Sequence, residues 1–193
     1  MEELQVKGPT VMKGYWKRPD ATAEVFTEDG WFRTGDQADL SDAGRIRIKG
    51  RIKEIIVTSS GEKIPPTDME LAIQTDPLFE QVMVVGEARP FITALAVVNE
   101  AEWEKFAKEF NVDPSDDRML MRRDIRMAAL KRLKKAASRF PQYGIPRNIR
   151  LLKEHWTVDN GCLTVTMKLR RPIIREKLRA EIDELYTVPQ NNV

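Results

Sequence analysis

The sequence predicts an α+β fold, in which a small antiparallel or mixed sheet has helices packed on it. Two apolar runs of strand length, Val82–Gly86 and Ile92–Val98, are separated by a short polar turn, which is typical of an antiparallel pair. Amphipathic helices follow, one over residues 100–110 and one from Asp113 to about Phe140. A small sheet followed by helices with one apolar side indicates the α+β class.

The first 51 residues differ from the rest, because they contain short predicted strands but no upstream strands with which these could complete a sheet. Short strands are predicted at Leu4–Val6, Trp31–Phe32, Asp36–Leu40 and Arg45–Lys49. Strict alternation in the last of these predicts that Ile46 and Ile48 face a core. A sheet that begins without upstream strands indicates the C-terminal remnant of a larger domain.

Residues 52–188 are predicted to form a second domain, and residues 189–193 a flexible tail. A helix is expected to start at Pro65–Pro66, with Thr67 and Glu70 as a capping box. The last helix is expected to run unbroken from Pro172 to Tyr186 and to bury apolar residues of one face, namely Ile174, Leu178, Ile182 and Leu185.

Composition excludes several classes of function. One cysteine and one histidine in 193 residues exclude an internal disulfide and argue against a cysteine or histidine metal site. No apolar run approaches the roughly 20 residues that cross a bilayer. The acidic start, Met1-Glu2-Glu3, is unlike a secretory signal. A net charge of +2 indicates no nucleic-acid partner.

Four motifs in order carry a family resemblance. They are Thr34-Gly35-Asp36, then Gly50-Arg51-Ile52-Lys53-Glu54, then Gly61 with Pro65, and last the segment Asp159–Arg171. Together they resemble the adenylate-forming superfamily, which contains acyl-CoA synthetases, peptide-synthetase adenylation domains and firefly luciferase. The chain matches about the last third of such an enzyme, so the resemblance implies a mobile C-terminal lid domain preceded by the last strands of the large domain.

The last motif is similar to that of long-chain fatty acid–CoA ligases, in which an Asn-Gly turn leads into Leu-Thr-x-Thr-x-Lys and a basic pair. This chain departs from the pattern at Val165, where the family often has proline. It also lacks the Gly-Lys pair that is usual in peptide synthetases, which favours an acyl-CoA synthetase.

The resemblance implies nucleotide-binding roles for Asp36 and Arg51. A carboxylate offers two acceptor oxygens to the ribose hydroxyls of ATP, and the arginine would reach the ribose or the phosphates with a planar, permanently charged fork. Judged alone, Asp36 would be a turn aspartate and Arg51 half of a surface ion pair. The fifteen-residue spacing between them, within ordered motifs, favours the nucleotide.

Lys53 and Gly61 are assigned by resemblance alone. Lys53 lies where the family has the hinge about which the small domain rotates between adenylate formation and thioester formation. Gly61 resembles the glycine of the loop that lines the tunnel for the pantetheine of CoA, where a missing side chain lets the acceptor pass close to the backbone. A plain turn glycine fits the sequence equally well.

Lys168 matches the catalytic lysine of the family, which contacts the carboxylate and the α-phosphate. Attack of a carboxylate on a phosphate brings anions together, and a fixed ammonium group stabilises that charge in the transition state. Judged alone, Lys168 would be one of many exposed lysines.

The reaction that the resemblance implies has two steps. A fatty acid and ATP give acyl-AMP and pyrophosphate, and acyl-AMP and CoA then give acyl-CoA and AMP. The phosphate-binding loop, the Mg²⁺ ligand and the acyl tunnel are absent from this sequence, so the chain alone is expected to be inactive. Its expected partners are the fatty acid, ATP, CoA and the N-terminal domain of the same enzyme.

Three alternatives stay open at this stage. The acyl acceptor could be a carrier protein, as in fatty acyl-AMP ligases, or the chain could be a stand-alone regulatory or binding module.

Residues 116–139 hold nine Arg/Lys and three Asp, a basic segment that could meet CoA phosphates or the inner face of an anionic membrane. A solvated helix face is the more usual outcome for such a run. A cytoplasmic location is expected.

Overall fold

The protein is described here from a computed structural model, which covers residues 3–42 and 44–187 and gives only the backbone of Lys49. The chain divides into two compact units, the first ending at Ile55 and the second beginning at Ile56. Together they contain helices and small antiparallel and mixed sheets, so the predicted α+β class is confirmed. No helix within the described ranges is both long and apolar enough to cross a membrane.

The first unit is a three-stranded antiparallel sheet with one short helix. Its elements are strand β1 (Glu3–Val6), helix α1 (Pro19–Val25), strands β2 (Phe32–Asp39) and β3 (Arg47–Arg51), and a 3-10 turn (Ile52–Glu54). The strand order is β1-β2-β3, and a register shift interrupts the β2–β3 ladder between Gln37 and Ala38. This register places Asp36 directly opposite Arg51.

The first unit buries little apolar surface. Ile46 and Ile48 are 59% and 51% exposed, so the prediction that they face a core is wrong. Alternation shows that two side chains share a face, but it cannot show that another layer covers that face. Among the described residues up to Ile55, no hydrophobic side chain is buried.

The second unit holds the remaining elements. A hairpin of β4 (Ile56–Val57) and β5 (Lys63–Ile64) leads into α2 (Pro66–Ile73). The later elements are β6 (Phe79–Val85), β7 (Thr93–Val98), α3 (Glu100–Glu109), α4 (Arg123–Ala136), β8 (Asn148–Leu152), α5 (Arg171–Lys177) and α6 (Arg179–Thr187). The sheet order is β6-β7-β8, with β6 and β7 antiparallel, as predicted, and β7 and β8 parallel.

Both faces of this sheet are covered. One face, which includes Val84 and Ala96, packs in a core with residues of α2, α3 and α4. The other face, which includes Val85 and Leu95, packs with residues of α5, α6 and the segment before α5. All six residues of β7 are therefore buried, as an apolar run in a central strand requires.

Three local predictions are wrong. Thr67 does not cap α2: the N-cap position is Pro65, and the Glu70 carboxylate bonds elsewhere. The helix expected from Asp113 begins only at Arg123, because aspartate side chains of residues 113–116 accept backbone amides in tight turns that compete with a helix.

The last helix is also interrupted, at Leu178, where φ is −110°. Its predicted apolar face is nevertheless largely observed: Ile174, Ile182 and Leu185 are buried, whereas Leu178, where the helix is interrupted, is only partly buried. The predicted tail, residues 189–193, lies outside the described residues.

Candidate functional site

Asp36 and Arg51 form an ion pair across the sheet of the first unit. Arg51 Nε lies 3.1 Å from Asp36 Oδ1, and Arg51 Nη1 donates to the Thr34 carbonyl oxygen at 2.7 Å. The guanidinium therefore contacts both sides of the Thr-Gly-Asp motif. The ion pair uses Asp36 Oδ1, but a carboxylate has two oxygens with about four acceptor sites, so this side chain can still accept from hydroxyl donors.

The backbone of this motif is fixed from the other side by β1. Glu3 Oε1 accepts the Gly35 amide at 3.0 Å, and Thr34 Oγ1 donates to the Leu4 carbonyl oxygen at 2.7 Å. Gly35 has a φ of +72°, and a Cβ there would lie 3.3 Å from Arg51 Nη1. Glycine is thus required both for the backbone angle and for the approach of the guanidinium.

Lys53 lies in the 3-10 turn that follows β3, and it is exposed. It comes two residues after Arg51 and two before the end of the first unit at Ile55. This position in the chain is compatible with a hinge.

Gly61 closes a tight turn between β4 and β5, which we call the Gly61 turn (residues 58–61). Its φ is +82°, and its amide donates to the Thr58 carbonyl oxygen at 2.9 Å. Apart from its two neighbours in the chain, no atom of the described residues lies within 4 Å of the position that a Cβ would occupy. The turn therefore requires glycine for its backbone angle, and open space lies beside it.

Lys168 lies in a second exposed turn, the lysine loop (residues 163–169), which is closed by a bridge between Leu163 and Leu169. The Thr164 amide donates to the Lys168 carbonyl oxygen at 2.9 Å, and the Lys168 amide donates to Thr164 Oγ1 at 3.1 Å. Met167 has a φ of +61°, a left-handed conformation that is unusual for methionine. The Lys168 side chain is exposed and has no hydrogen-bond or ion-pair partner within the described ranges.

The two ends of the lysine loop are fixed by polar contacts. Before it, Asn160 Oδ1 accepts the amides of Thr157 and Cys162 at 3.0 and 3.2 Å. After it, Arg171 donates two hydrogen bonds of 2.6 Å each to the Glu70 carboxylate. The turn at the tip is exposed, whereas both of its ends are held.

The structure thus brings Asp36 and Arg51 together in the first unit and places Gly61 and Lys168 on separate turns of the second. Sequence reasoning missed the Glu70–Arg171 pair because Glu70 was assigned to a helix cap. The available signal was a glutamate surrounded by apolar residues in α2, Met69-Glu70-Leu71-Ala72-Ile73, since a charge in such a segment needs a partner.

Comparisons with known proteins identify the family of the chain. A family model described as the AMP-binding enzyme C-terminal domain matches residues 53–189. A long-chain-fatty-acid–CoA ligase of Mycobacterium tuberculosis is 36% identical over 192 residues, which are 95% of this chain and 31% of that protein. A long-chain-fatty-acid–[acyl-carrier-protein] ligase of Arabidopsis thaliana is 32% identical, over 95% of this chain and 25% of that protein. The chain therefore spans at most a third of the length of these relatives.

Solved structures agree on the fold. The adenylation domain of a carboxylate reductase from Mycobacterium chelonae superposes with a TM-score of 0.82 and 28% identity, over 96% of this chain and 28% of that chain. The corresponding domain from Segniliparus rugosus, solved in complex with AMP and a co-purified carboxylic acid, gives a TM-score of 0.79 and 28% identity, over 95% of this chain and 28% of that chain. Because the family model covers most of the chain and its bounds include Gly61 and Lys168, the chain belongs to the family of AMP-binding enzyme C-terminal domains.

Proposed function

We propose that the chain is the C-terminal part of a long-chain fatty acid–CoA ligase. In the complete enzyme, a fatty acid and ATP would give acyl-AMP and pyrophosphate, and acyl-AMP and CoA would then give acyl-CoA and AMP. The observation that carries the proposal is the exposed, unpaired ammonium group of Lys168 on a turn whose two ends are fixed. The similarity to a long-chain-fatty-acid–CoA ligase over 95% of the chain supports it.

Lys168 would act in the first step. The carboxylate of the fatty acid and the α-phosphate of ATP repel each other, and a preorganised cation between them offsets that repulsion most in the transition state. An ammonium group that pairs with no carboxylate among the described residues is available for this role. The closed turn from Thr164 to Lys168 limits the conformations of the backbone that carries it.

Asp36 and Arg51 would hold the nucleotide. The remaining acceptor sites of the Asp36 carboxylate suit the two hydroxyls of a ribose, and Arg51 keeps the carboxylate oriented while adding positive charge. ATP, when bound, supplies the activated phosphate to which the carboxylate adds. A Mg²⁺ ion that accompanies ATP would have its ligand in another part of the enzyme.

Residues 1–51 are proposed to belong to the large domain of that enzyme, and residues 52–188 to form the lid. Large apolar side chains of the first unit stay exposed, among them Trp16 at 86%. A three-stranded sheet without a buried core is not expected to be stable alone. Lys53 is proposed as the hinge and Gly61 as part of the pantetheine path.

A carrier protein is the second candidate for the acyl acceptor. The observation that favours it is the 32% identity to a long-chain-fatty-acid–[acyl-carrier-protein] ligase. The rate of AMP release from preformed acyl-AMP, measured with CoA and separately with phosphopantetheinylated carrier protein, distinguishes the two acceptors.

The test of the main proposal is Lys168→Ala in the complete enzyme that contains this chain. Acyl-AMP formation should fall by about a hundredfold or more, whereas thioester formation from preformed acyl-AMP should be largely retained. Lys108→Ala, which removes an exposed lysine of α3, is the matched control and should change neither step. Equal loss of both half-reactions in Lys168→Ala would refute the assigned role.

A further inference from the structure

We infer that Glu70 and Arg171 are positioning residues for the lysine loop, an inference that rests on the proposed function of Lys168. Arg171 is the first residue of α5 and follows Lys168 by three positions. Its Nη1 and Nη2 donate to Glu70 Oε1 and Oε2 at 2.6 Å each, which is a two-pronged pair with a fixed relative orientation.

Glu70 is buried and Arg171 is partly buried, whereas the tip of the lysine loop is exposed. The Glu70 side chain is 7% exposed and that of Arg171 17%, and Glu70 Oε1 also accepts the Val84 amide of β6 at 2.8 Å. A buried carboxylate that accepts three hydrogen bonds cannot move without leaving polar groups unpaired. The end of the lysine loop is thereby attached to both α2 and the central sheet.

The tip of the loop is restrained less firmly than its two ends. Val165 (85%) and Met167 (68%) are exposed there, so packing does not hold the tip. Leu163 and Leu169, which form the bridge at the base of the loop, pack in the core on one face of the sheet. The direction of the Lys168 ammonium group therefore depends on the two ends of the loop, and Arg171 is the charged anchor at one of them.

The pair also connects the two functional turns of the second unit. Helix α2, which carries Glu70, begins directly after β5 and the Gly61 turn. Through Glu70 and Arg171, the segment that follows Gly61 and the segment that follows Lys168 are joined within the second unit. Arg171 lies three residues after Lys168 and Glu70 nine residues after Gly61, so the pair restrains the lysine loop more directly than the Gly61 turn.

The test measures residue-resolved amide exchange by NMR on the 193-residue chain. Glu70→Gln and Arg171→Lys should each speed exchange of the hydrogen-bonded amides of Thr164, Met167 and Lys168 by about tenfold or more, because the end of the loop is released. Asp76→Asn is the control, since Asp76 accepts a comparable two-pronged pair from Arg132 at 2.6 and 2.9 Å, away from the loop.

The control separates positioning from a general loss of stability. All three variants should lower the melting temperature, but only the first two should speed exchange in the lysine loop. Unchanged exchange in Glu70→Gln and Arg171→Lys, or an equal rise in Asp76→Asn, would overturn the inference. Because Arg171→Lys retains the positive charge, it provides the same measurement if Glu70→Gln does not fold.

A second measurement in the complete enzyme separates this inference from the proposed function. Arg171→Lys should lower acyl-AMP formation about tenfold and leave thioester formation from preformed acyl-AMP within twofold. Loss of activity without faster loop exchange would contradict positioning. Faster exchange with full acyl-AMP formation would support the inference that the pair anchors the loop, but it would refute the proposed role of Lys168.

Discussion

Arg51 joins the two ends of the Thr-Gly-Asp motif, with Nε 3.1 Å from Asp36 Oδ1 and Nη1 2.7 Å from the Thr34 carbonyl oxygen. Lysine has no planar fork and cannot make both contacts at once. We therefore expect Arg51→Lys to raise the KM for ATP in the complete enzyme by about tenfold, which corresponds to the loss of one charge-assisted hydrogen bond. Steady-state kinetics with varied ATP measure this effect.

Arg47→Lys is the control for that substitution. Arg47 lies on the same strand, is 70% exposed and pairs loosely with Asp42 at 3.7 Å. Its replacement should leave the KM for ATP unchanged. If both substitutions raised the KM equally, a general effect of charge on this sheet would explain the result better than a specific contact.

Gly61→Ala should separate the effect of backbone strain on stability from an effect on thioester formation. Alanine would meet no neighbouring atom but would occupy a φ of +82°, so we expect a loss of about 1 kcal/mol in the free energy of unfolding. If the turn lines the path of CoA, thioester formation should fall more than acyl-AMP formation. Denaturant unfolding and the two half-reactions measure these effects.

Gly44→Ala provides the comparison, because Gly44 has a φ of +81° and also meets no neighbouring atom. Gly44→Ala should show a similar loss in the free energy of unfolding, and both half-reactions should be retained. A Gly61→Ala enzyme with unchanged thioester formation would assign Gly61 to the turn alone.

Met167 provides a test of the lysine-loop conformation. Its φ of +61° is tolerated by asparagine but strongly disfavours a β-branched side chain. Met167→Ile should therefore lower the free energy of unfolding by about 1 kcal/mol or more, whereas Met167→Asn should have little effect. The matched change Val165→Ile, at a position 85% exposed, should be neutral in the same thermal unfolding measurement.

Acid stability should depend on Asp76. Burial alone would raise the pKa of Asp76, but hydrogen bonds from Arg132 and the Leu78 amide outweigh it and hold the pKa below its usual value. The unfolded state then binds the proton more readily, so this contribution to stability is present above about pH 4 and is lost as the pH falls through the folded-state pKa. Urea unfolding from pH 6 to pH 3 should show a smaller decline in Asp76→Asn than in the wild type. Parallel curves would contradict the shift.

The apolar elements of the second unit were well predicted from the sequence, because the layers that bury their apolar side chains belong to the same unit. The apolar run Ile92–Val98 has the length of a strand and is buried as one, and Trp103 and Phe106, predicted on one side of a helix, face the core. The same reasoning failed for Ile46 and Ile48, because periodicity cannot tell whether a face of a sheet is covered.

Polar pairings between distant residues were the least predictable. Glu70 and Arg171 are 101 residues apart, and no local pattern links them. Local rules favoured a capping box at Glu70, but the Glu70 carboxylate instead accepts hydrogen bonds from Arg171 and from the Val84 amide. Asp36 and Arg51 were brought together in prediction only by the order of the motifs, since each is an ordinary surface residue by itself.

The burial of β7 on both sides has a mechanical consequence. The central strand is covered by α2, α3 and α4 on one side and by α5 and α6 on the other. The second unit therefore needs no neighbouring domain to cover its core. A domain of this kind can separate from a neighbour and bind it again through another face without exposing its interior. Such independence is what the proposed rotation of a lid domain between two orientations would require.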